Sequence, residues 1–209
     1  MAGGPDREAE ALLEFWFGVL TDGFADDAHR RRWFSGGRAF DDECRVRFGD
    51  LAMRAAEGGL AHWLTTPRGT LAWILLCDQI PRNIYRGQAL AFATDGPALT
   101  ASRNGVEAGF DQTLTADERC FFYLPFEHSE SLVDQHTCVG LFTDLVEQTP
   151  ERFRRLTEGY LPYAKQHRDI IRRFGRFPHR NTVLGRTSTA EELDYLAGGN
   201  TFGQSPPEP

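Results

Sequence analysis

Apolar residues recur at intervals of three and four along almost the whole chain. Leu12 and Trp16 belong to the first such stretch, and Asp6 stands just before it, where a helix N-cap is expected. A second stretch covers residues 40–57 and ends at Gly58, a residue type that commonly terminates helices. Alternating strand patterns bounded by hairpin turns do not stand out. The pattern therefore predicts an all-α protein.

The 209-residue chain has no composition break long enough to form a linker. We therefore expect a single helical domain over residues 1–197. Residues 198–209 are rich in glycine, proline and polar side chains, so we expect a flexible C-terminal tail there.

The most continuously apolar segment follows residues 66–67, a Thr-Pro pair typical of an N-cap and a first-turn proline. Because Leu71, Ile74 and Leu75 make the following helix apolar nearly all round, we expect it to be central and buried. Pro81 is expected to end it.

Three further boundaries are predicted in the second half of the chain. Pro125 is expected to break a helix that begins after Thr115. Pro162 is expected to kink or divide a long helix that begins near residues 149–150. Ser188 and Glu191 have the spacing of a capping box for the last helix.

The charge of the chain argues against two classes of partner. The formal net charge is −7, whereas proteins that coat nucleic acid or an anionic membrane need a basic face. The longest apolar run, residues 71–77, is far too short to span a bilayer, and the acidic N-terminal segment is unlike a secretory signal. We expect a cytoplasmic protein that binds neither nucleic acid nor a membrane.

Sequence motifs for common cofactors are missing. The four cysteines, Cys44, Cys77, Cys120 and Cys138, are far apart and form no CxxC pair, which predicts buried thiols in a reducing compartment rather than a zinc site or disulfides. The chain also has no HExxH, P-loop, GxGxxG or GxSxG motif. We expect no metal and no other cofactor.

Three polar segments lie directly against strongly apolar sequence, and the first contains Asp78, Arg82 and Asn83. Charged side chains at the end of a buried helix must be paired with other groups or bind a ligand, because burying an unpaired charge is costly. These three residues are candidate ligand-binding residues. The alternative is that Asp78 and Arg82 only tie down the turn.

The second segment contains His128 and Glu130. A histidine close to a carboxylate is a candidate acid–base or metal pair, and because metal-ligand spacing is absent these two residues are the catalytic candidates. In the structural alternative, acidic first-turn residues stabilise a helix N-terminus behind a serine cap.

The third segment, residues 167–181, begins with His167 on an apolar helix stripe and includes Arg176, His179 and Arg180. A lone histidine on such a stripe is more often a core residue than a ligand. The arginines crowd together in an otherwise acidic chain, which favours an anion pocket because guanidinium groups match carboxylates and phosphates. A solvated basic helix end is the alternative.

These segments resemble those of a bacterial family known as domain of unknown function 924. The resembling stretches are FWFG at 15–18, LLCDQIPRNIYRG at 75–87 with AFATD after it, FFYLPFEHSE at 121–130 and RRFGRFPHRNTVLGRTSTAEE at 172–192. The resemblance implies a right-handed α–α superhelix of the tetratricopeptide-like type. It implies no activity.

Three functions are compatible with these patterns. The one we favour is binding of a small anionic molecule or a peptide in a pocket lined by Arg, His and Glu side chains. The second is an enzyme in which His128 and Glu130 are the acid–base groups, assisted by His167 or His179. The third is a purely structural interaction module. Convergence of the three segments on one site would favour the first two.

Overall fold

The computed structural model describes residues 6–199, apart from the side chains of residues 34 and 35. Over that range the protein is all-α, as the apolar spacing predicts, and pairing outside the helices is limited to an isolated bridge between Thr21 and Phe24. The helices are α1 (Arg7–Phe17), α2 (Asp27–Ser35), α3 (Gly37–Ala56), α4 (Pro67–Ile74), α5 (Ile80–Ile84), α6 (Asp95–Glu107), α7 (Ala116–Glu127), α8 (Leu132–Gln148), α9 (Arg154–Glu158), α10 (Leu161–Phe174) and α11 (Ala190–Ala197).

Aromatic rings join helices that are distant in sequence. The ring centroid of Phe121 in α7 lies 5.6 Å from that of Trp16 and 5.4 Å from that of Phe17, both in α1. Trp33 in α2 packs edge-on against the same ring at 4.8 Å. Large rings bury much apolar area, and edge-on pairs add a favourable electrostatic contact. These contacts hold α1, α2 and α7 together around one core.

The helix that begins at Pro67 is central, as predicted. Leu71, Ile74 and Leu75 have no exposed surface, and α4 packs against α1, α6 and α7. The side chain of Thr66 accepts a hydrogen bond from a backbone N–H in the first turn, which confirms the predicted cap.

The prediction that Pro81 ends this helix is wrong. Between α4 and α5 the helix widens into a π turn over Leu75–Gln79, in which the first N–H of α5 donates to the carbonyl of Leu75, five residues back. The wider turn lets the helix continue although Pro81 has no N–H. The carbonyl of Cys77, four residues before the proline, accepts a hydrogen bond from Thr94 Oγ1 at 2.5 Å.

The prediction that Pro125 breaks its helix is also wrong, because α7 continues to Glu127. A proline so close to the end of a helix removes one backbone hydrogen bond, while the next turn can still close. Here the N–H of His128 donates to the carbonyl of Leu124 at 2.9 Å.

The capping box of the last helix lies one residue later than predicted from Ser188 and Glu191. The N–H of Thr189 donates to the Glu192 carboxylate at 2.7 Å, and the N–H of Glu192 donates to the Thr189 hydroxyl at 3.2 Å. The hydroxyl of Ser188 is engaged elsewhere, since it accepts a hydrogen bond from Asn181 at 3.0 Å.

The C-terminal third is divided where the sequence predicts. Helix α9 ends at Glu158 and α10 begins at Leu161, immediately before Pro162. Beyond the main core, Ile170, Ile171 and Phe177 form a second, smaller apolar cluster.

The predicted domain boundary at residue 197 stays a prediction, because residues 200–209 lie outside the described residues. Between residues 6 and 199, no helix is both long and apolar enough to cross a bilayer.

Candidate functional site

The first and second polar segments meet at Asp78. This residue lies in the π turn, and its Oδ1 is 2.6 Å from Nδ1 of His128, at the end of α7. Nη1 of Arg82, one turn further along the same helix, lies 3.2 Å from the same oxygen and donates to the Asp78 backbone carbonyl at 2.7 Å. The Gln79 amide donates to the other carboxylate oxygen at 2.5 Å. The Asp78 carboxylate is therefore held on both oxygens.

The third segment joins this cluster through Asp95, at the start of α6. Arg82 donates to both carboxylate oxygens of Asp95, at 2.7 and 2.9 Å. Nη1 of Arg180 donates to one of the same oxygens at 3.1 Å. One carboxylate thus bridges two arginines that are 98 positions apart in the chain.

Arg180 is buried against two aromatic rings. Its guanidinium carbon lies 4.6 Å from the ring centroid of Phe92 and 4.5 Å from that of Phe177. Among the described residues, the only hydrogen bond of the guanidinium group is the one to Asp95, and its Nε is buried without a partner. Most of the donor capacity of this guanidinium is unused.

A second carboxylate–imidazole pair lies next to the first. Oε1 of Glu127 is 3.5 Å from Nδ1 of His167, and both side chains are almost fully buried. Nδ1 of His167 lies 2.9 Å from the carbonyl of Tyr163. The ring centroids of His128 and His167 are 6.4 Å apart. Glu127, the last residue of α7, thus contacts His167, and His128, the next residue, contacts Asp78.

Glu130 contacts other groups than those expected for an acid–base partner of His128. Its carboxylate accepts hydrogen bonds from Arg186 at 2.7 and 3.0 Å and from the backbone N–H of Phe177 at 2.8 Å. These bonds anchor the segment that carries Arg180 to the end of α7. His179 reaches the cluster through Phe177, with 5.5 Å between the two ring centroids.

Asn83 and Arg176 make no hydrogen bond to the Asp78 or Asp95 carboxylate within the described residues. Asn83 accepts a hydrogen bond from Arg86, which in turn pairs with Asp41 of α3 at 2.8 Å. Arg176 donates twice to Glu192, at 2.6 and 2.8 Å, and so helps to hold α11. The hydrogen bonds of both residues therefore join neighbouring helices, and neither residue is part of the shared site.

Burial and charge set the protonation of the two acidic groups in opposite directions. Although burial opposes it, the charge of Arg82 and the hydrogen bond from the His128 imidazole lower the pKa of Asp78. Burial, with the nearby charge of Asp78, raises the pKa of Glu127 to about 8. At neutral pH Asp78 is thus ionised and Glu127 is protonated.

The basic groups share one trend. Burial, together with neighbouring Arg82, lowers the pKa of His128 and lowers the pKa of Arg180 to about 10. Burial also lowers the pKa of His167 and of His179 to about 3. The histidines are therefore neutral at pH 7, and the positive charge of the cluster lies on its arginines.

The described residues contain no candidate metal site, and two clefts lie away from this cluster. Within the described part of the chain, no group of three His, Cys, Asp or Glu side chains is arranged to hold a metal ion. A cleft of about 780 Å³ lies between the first turns of α1, α4 and α7, and one of about 420 Å³ lies between α10 and α11. None of the predicted site residues lines either cleft.

Comparison with known proteins identifies the family. Residues 12–200 match the family described as bacterial protein of unknown function, DUF924. The chain belongs to this family. A solved structure, that of the protein of unknown function ATU0120 from Agrobacterium tumefaciens, is 38% identical to this DUF924 chain. It has a TM-score of 0.77 and covers 91% of this chain and 97% of its own. No curated protein matches.

Sequence reasoning missed two residues of the site in this DUF924 protein: Asp95 and Glu127. Asp95 reads as an ordinary acidic residue in a first helical turn. Glu127 stands beside His128 in the second segment, and its burial follows from the packing of α8 and α10 against α7. Arg186, which pairs with Glu130, stands five residues beyond the third segment, and the sequence does not indicate which arginine pairs with which carboxylate.

Proposed function

We propose that this protein binds a small anionic ligand at the unused donor edge of Arg180. The supporting observation is that a buried guanidinium against two aromatic rings makes one hydrogen bond among the described residues and keeps a buried Nε–H without a partner. A buried polar group normally has a hydrogen-bond partner, so an unused one indicates a missing acceptor. An oxyanion supplies that acceptor.

The neighbouring arginine provides an internal comparison. Arg82 donates to both oxygens of Asp95 and to the backbone of Asp78, so its hydrogen bonds lie within the protein. Arg180 shares Asp95 but has much less of its charge compensated, and burial lowers its pKa to about 10. Binding an anion would offset this desolvation. Arg82 therefore has a structural role here, and Arg180 has the binding role.

The geometry also indicates the ligand class. The centroids of both rings lie within 4.6 Å of the Arg180 guanidinium carbon, so the rings occupy space next to the group and make no hydrogen bond to it as carboxylates would. Two N–H groups on one edge match two oxygens of a carboxylate or a phosphate. Such an anion would belong to a small molecule or to a peptide. The neighbouring histidines, neutral at pH 7, add no competing positive charge.

Binding is tested by differential scanning fluorimetry and calorimetry with inorganic phosphate and acetate. We expect a rise in Tm for the wild type, since a ligand that binds only the folded state stabilises it by about 2.7 kcal/mol at 100 times its Kd. Arg180→Gln should abolish this rise. Arg172→Gln is the matched control, because it removes the same charge from an exposed side chain of α10 that pairs only weakly with Asp169. Equal rises in both variants would refute the proposal.

A further inference from the structure

Two carboxylate–imidazole pairs lie side by side next to the proposed anion site. From this juxtaposition, we infer that His128 is a proton-accepting group for the bound anion, oriented by Asp78. The inference rests on the proposed function, and it makes the ligand a substrate for proton transfer.

The Asp78–His128 contact orients the imidazole. A carboxylate that accepts a hydrogen bond from Nδ1–H fixes the tautomer, and the lone pair of Nε2 is then available as a base. Asp78 Oδ1 lies 2.6 Å from Nδ1. Among the described residues, Nε2 of His128 has no hydrogen-bond partner, and 14% of the side chain is exposed. No described side chain therefore competes with a ligand for the basic nitrogen.

The π turn sets the position of Asp78. A regular α-helix gains one residue in such a turn, which rotates the following side chains, and π turns often occur at functional sites. Arg82 and Gln79 hold the carboxylate on both oxygens, so its orientation toward His128 does not depend on the ligand. A base that is positioned before the ligand binds is a feature of catalytic sites rather than of simple binding sites.

The second pair differs from the first in protonation. Glu127 is buried, its Oε1 is 3.5 Å from His167, and its carboxyl group is protonated at neutral pH because its pKa is raised to about 8. The His128 and His167 rings are 6.4 Å apart. The first contacts the ionised carboxylate of Asp78, and the second contacts the neutral carboxyl group of Glu127. Carboxyl groups with opposite protonation are typical of acid–base pairs in enzymes.

The expected chemistry is a proton transfer within a small oxyanion that carries an acidic C–H or O–H bond. That bond breaks, its electron pair stays on the ligand, and the proton forms a new N–H bond at Nε2 of His128. The negative charge that develops faces Arg180, which stabilises it. The proton then returns to the same or another atom of the ligand, so the group at His128 ends neutral as it began.

Chemical acylation of His128 tests the inference without a known substrate. In diethyl pyrocarbonate, a neutral imidazole nitrogen attacks a carbonyl carbon, forms an N–C bond, loses its proton and releases ethanol and carbon dioxide. Peptide mass spectrometry would follow acylation of His128 in a phosphate-free buffer, with exposed His136 as the internal reference. We expect His128 to react, and inorganic phosphate at about ten times its Kd to slow that reaction about tenfold while sparing His136.

Two variants separate the base from a structural role. In Arg180→Gln, phosphate should no longer protect His128. In Asp78→Asn, the pKa of His128 measured by NMR should fall, because the Asp78 charge raises it in the wild type, and acylation above that pKa should slow. If Asp78→Asn does not fold, the comparison of phosphate protection of His128 in the wild type and in Arg180→Gln still tests whether His128 faces the bound anion.

The possible failures are distinguishable. An inert His128 in a protein that phosphate stabilises overturns the proton-transfer inference and leaves the anion site standing. A reactive His128 in a protein that phosphate neither stabilises nor protects overturns the proposed function, and with it the use of His128 on a bound anion.

Discussion

At the scale of single residues, two arginines show how one side-chain type can serve structure or binding. Arg82 and Arg180 share the Asp95 carboxylate and both are buried, yet most of the hydrogen bonds belong to Arg82. Removal of one member of a fully bonded buried pair leaves its partner uncompensated, whereas removal of a weakly bonded member does not. The two roles therefore predict different stability losses.

We expect Arg82→Gln to lower the free energy of unfolding by about 3–5 kcal/mol, because both Asp78 and Asp95 lose a partner. Arg180→Gln should cost less than half as much, since Asp95 keeps Arg82. Urea denaturation of both variants measures the difference. Equal losses would mean that Arg180 is as structural as Arg82.

Glu127 should dominate the pH dependence of stability between pH 6.5 and 8. Its pKa rises on folding from an ordinary 4.5 to about 8, so the folded state binds one more proton than the unfolded chain in that range, and stability falls as pH rises. His167 and His179 have pKa values lowered from 6.5 to about 3, so they reduce stability only below pH 6.5.

The expected fall from pH 6.5 to pH 8 is about 1.5 kcal/mol, because the limiting slope of about 1.4 kcal/mol per pH unit halves at pH 8, where Glu127 is half ionised. Glu127→Gln keeps the shape of the protonated side chain and should remove this slope. Chemical denaturation at several pH values checks it. A slope that persists in the variant would assign the proton to another group.

Residue types were predictable at this scale, but their pairing was not. Asp78, Arg82, His128 and Arg180 stand out in the sequence as charged or imidazole groups against apolar neighbours. Glu130 carries the same signal, yet its carboxylate is bonded to Arg186 and a backbone N–H. Which acid meets which base depends on helix packing, so local sequence leaves the choice open.

At the scale of elements, helix starts were easier to predict than helix ends. A cap such as Asp6 or Thr66 acts within four residues, so its signal is local. Whether a proline ends a helix depends on which groups satisfy the carbonyl that its missing N–H would have bonded. At Pro81 the π turn and a hydroxyl from Thr94 compensate, and that hydroxyl lies 17 residues from the carbonyl it serves.

The central position of α4 and the π turn has a direct consequence for stability. Leu75→Ala should lower the free energy of unfolding by about 2–5 kcal/mol, through lost transfer energy and the cavity left behind. Leu193→Ala is the matched control, because that leucine of α11 is 57% exposed and its truncation should cost little. Similar losses in the two variants would contradict the central position of this helix.

At the scale of the whole molecule, the candidate site exists only because distant segments converge. His128 contacts a residue 50 positions away, and Arg180 contacts one 85 positions away. The segment that carries Arg180 is attached to the end of α7 by Glu130, through Arg186 and the backbone of Phe177. Glu130 therefore controls the site from outside it, although the sequence suggested that it takes part directly.

Glu130→Gln should weaken phosphate binding about tenfold, which corresponds to about 1.4 kcal/mol. The amide keeps the shape of the side chain but loses the charge-assisted bonds to Arg186, and hydrogen bonds to charged groups contribute about 1.5–3 kcal/mol each. Because the Asp95–Arg82 and Asp78–His128 contacts do not involve Glu130, the pKa of His128 should stay close to its wild-type value. Glu191→Gln removes a carboxylate from an exposed pair with Arg173 and should leave affinity unchanged. Calorimetry of both variants measures the effect, and an unchanged affinity in Glu130→Gln would show that the Arg180 segment holds its position without this attachment.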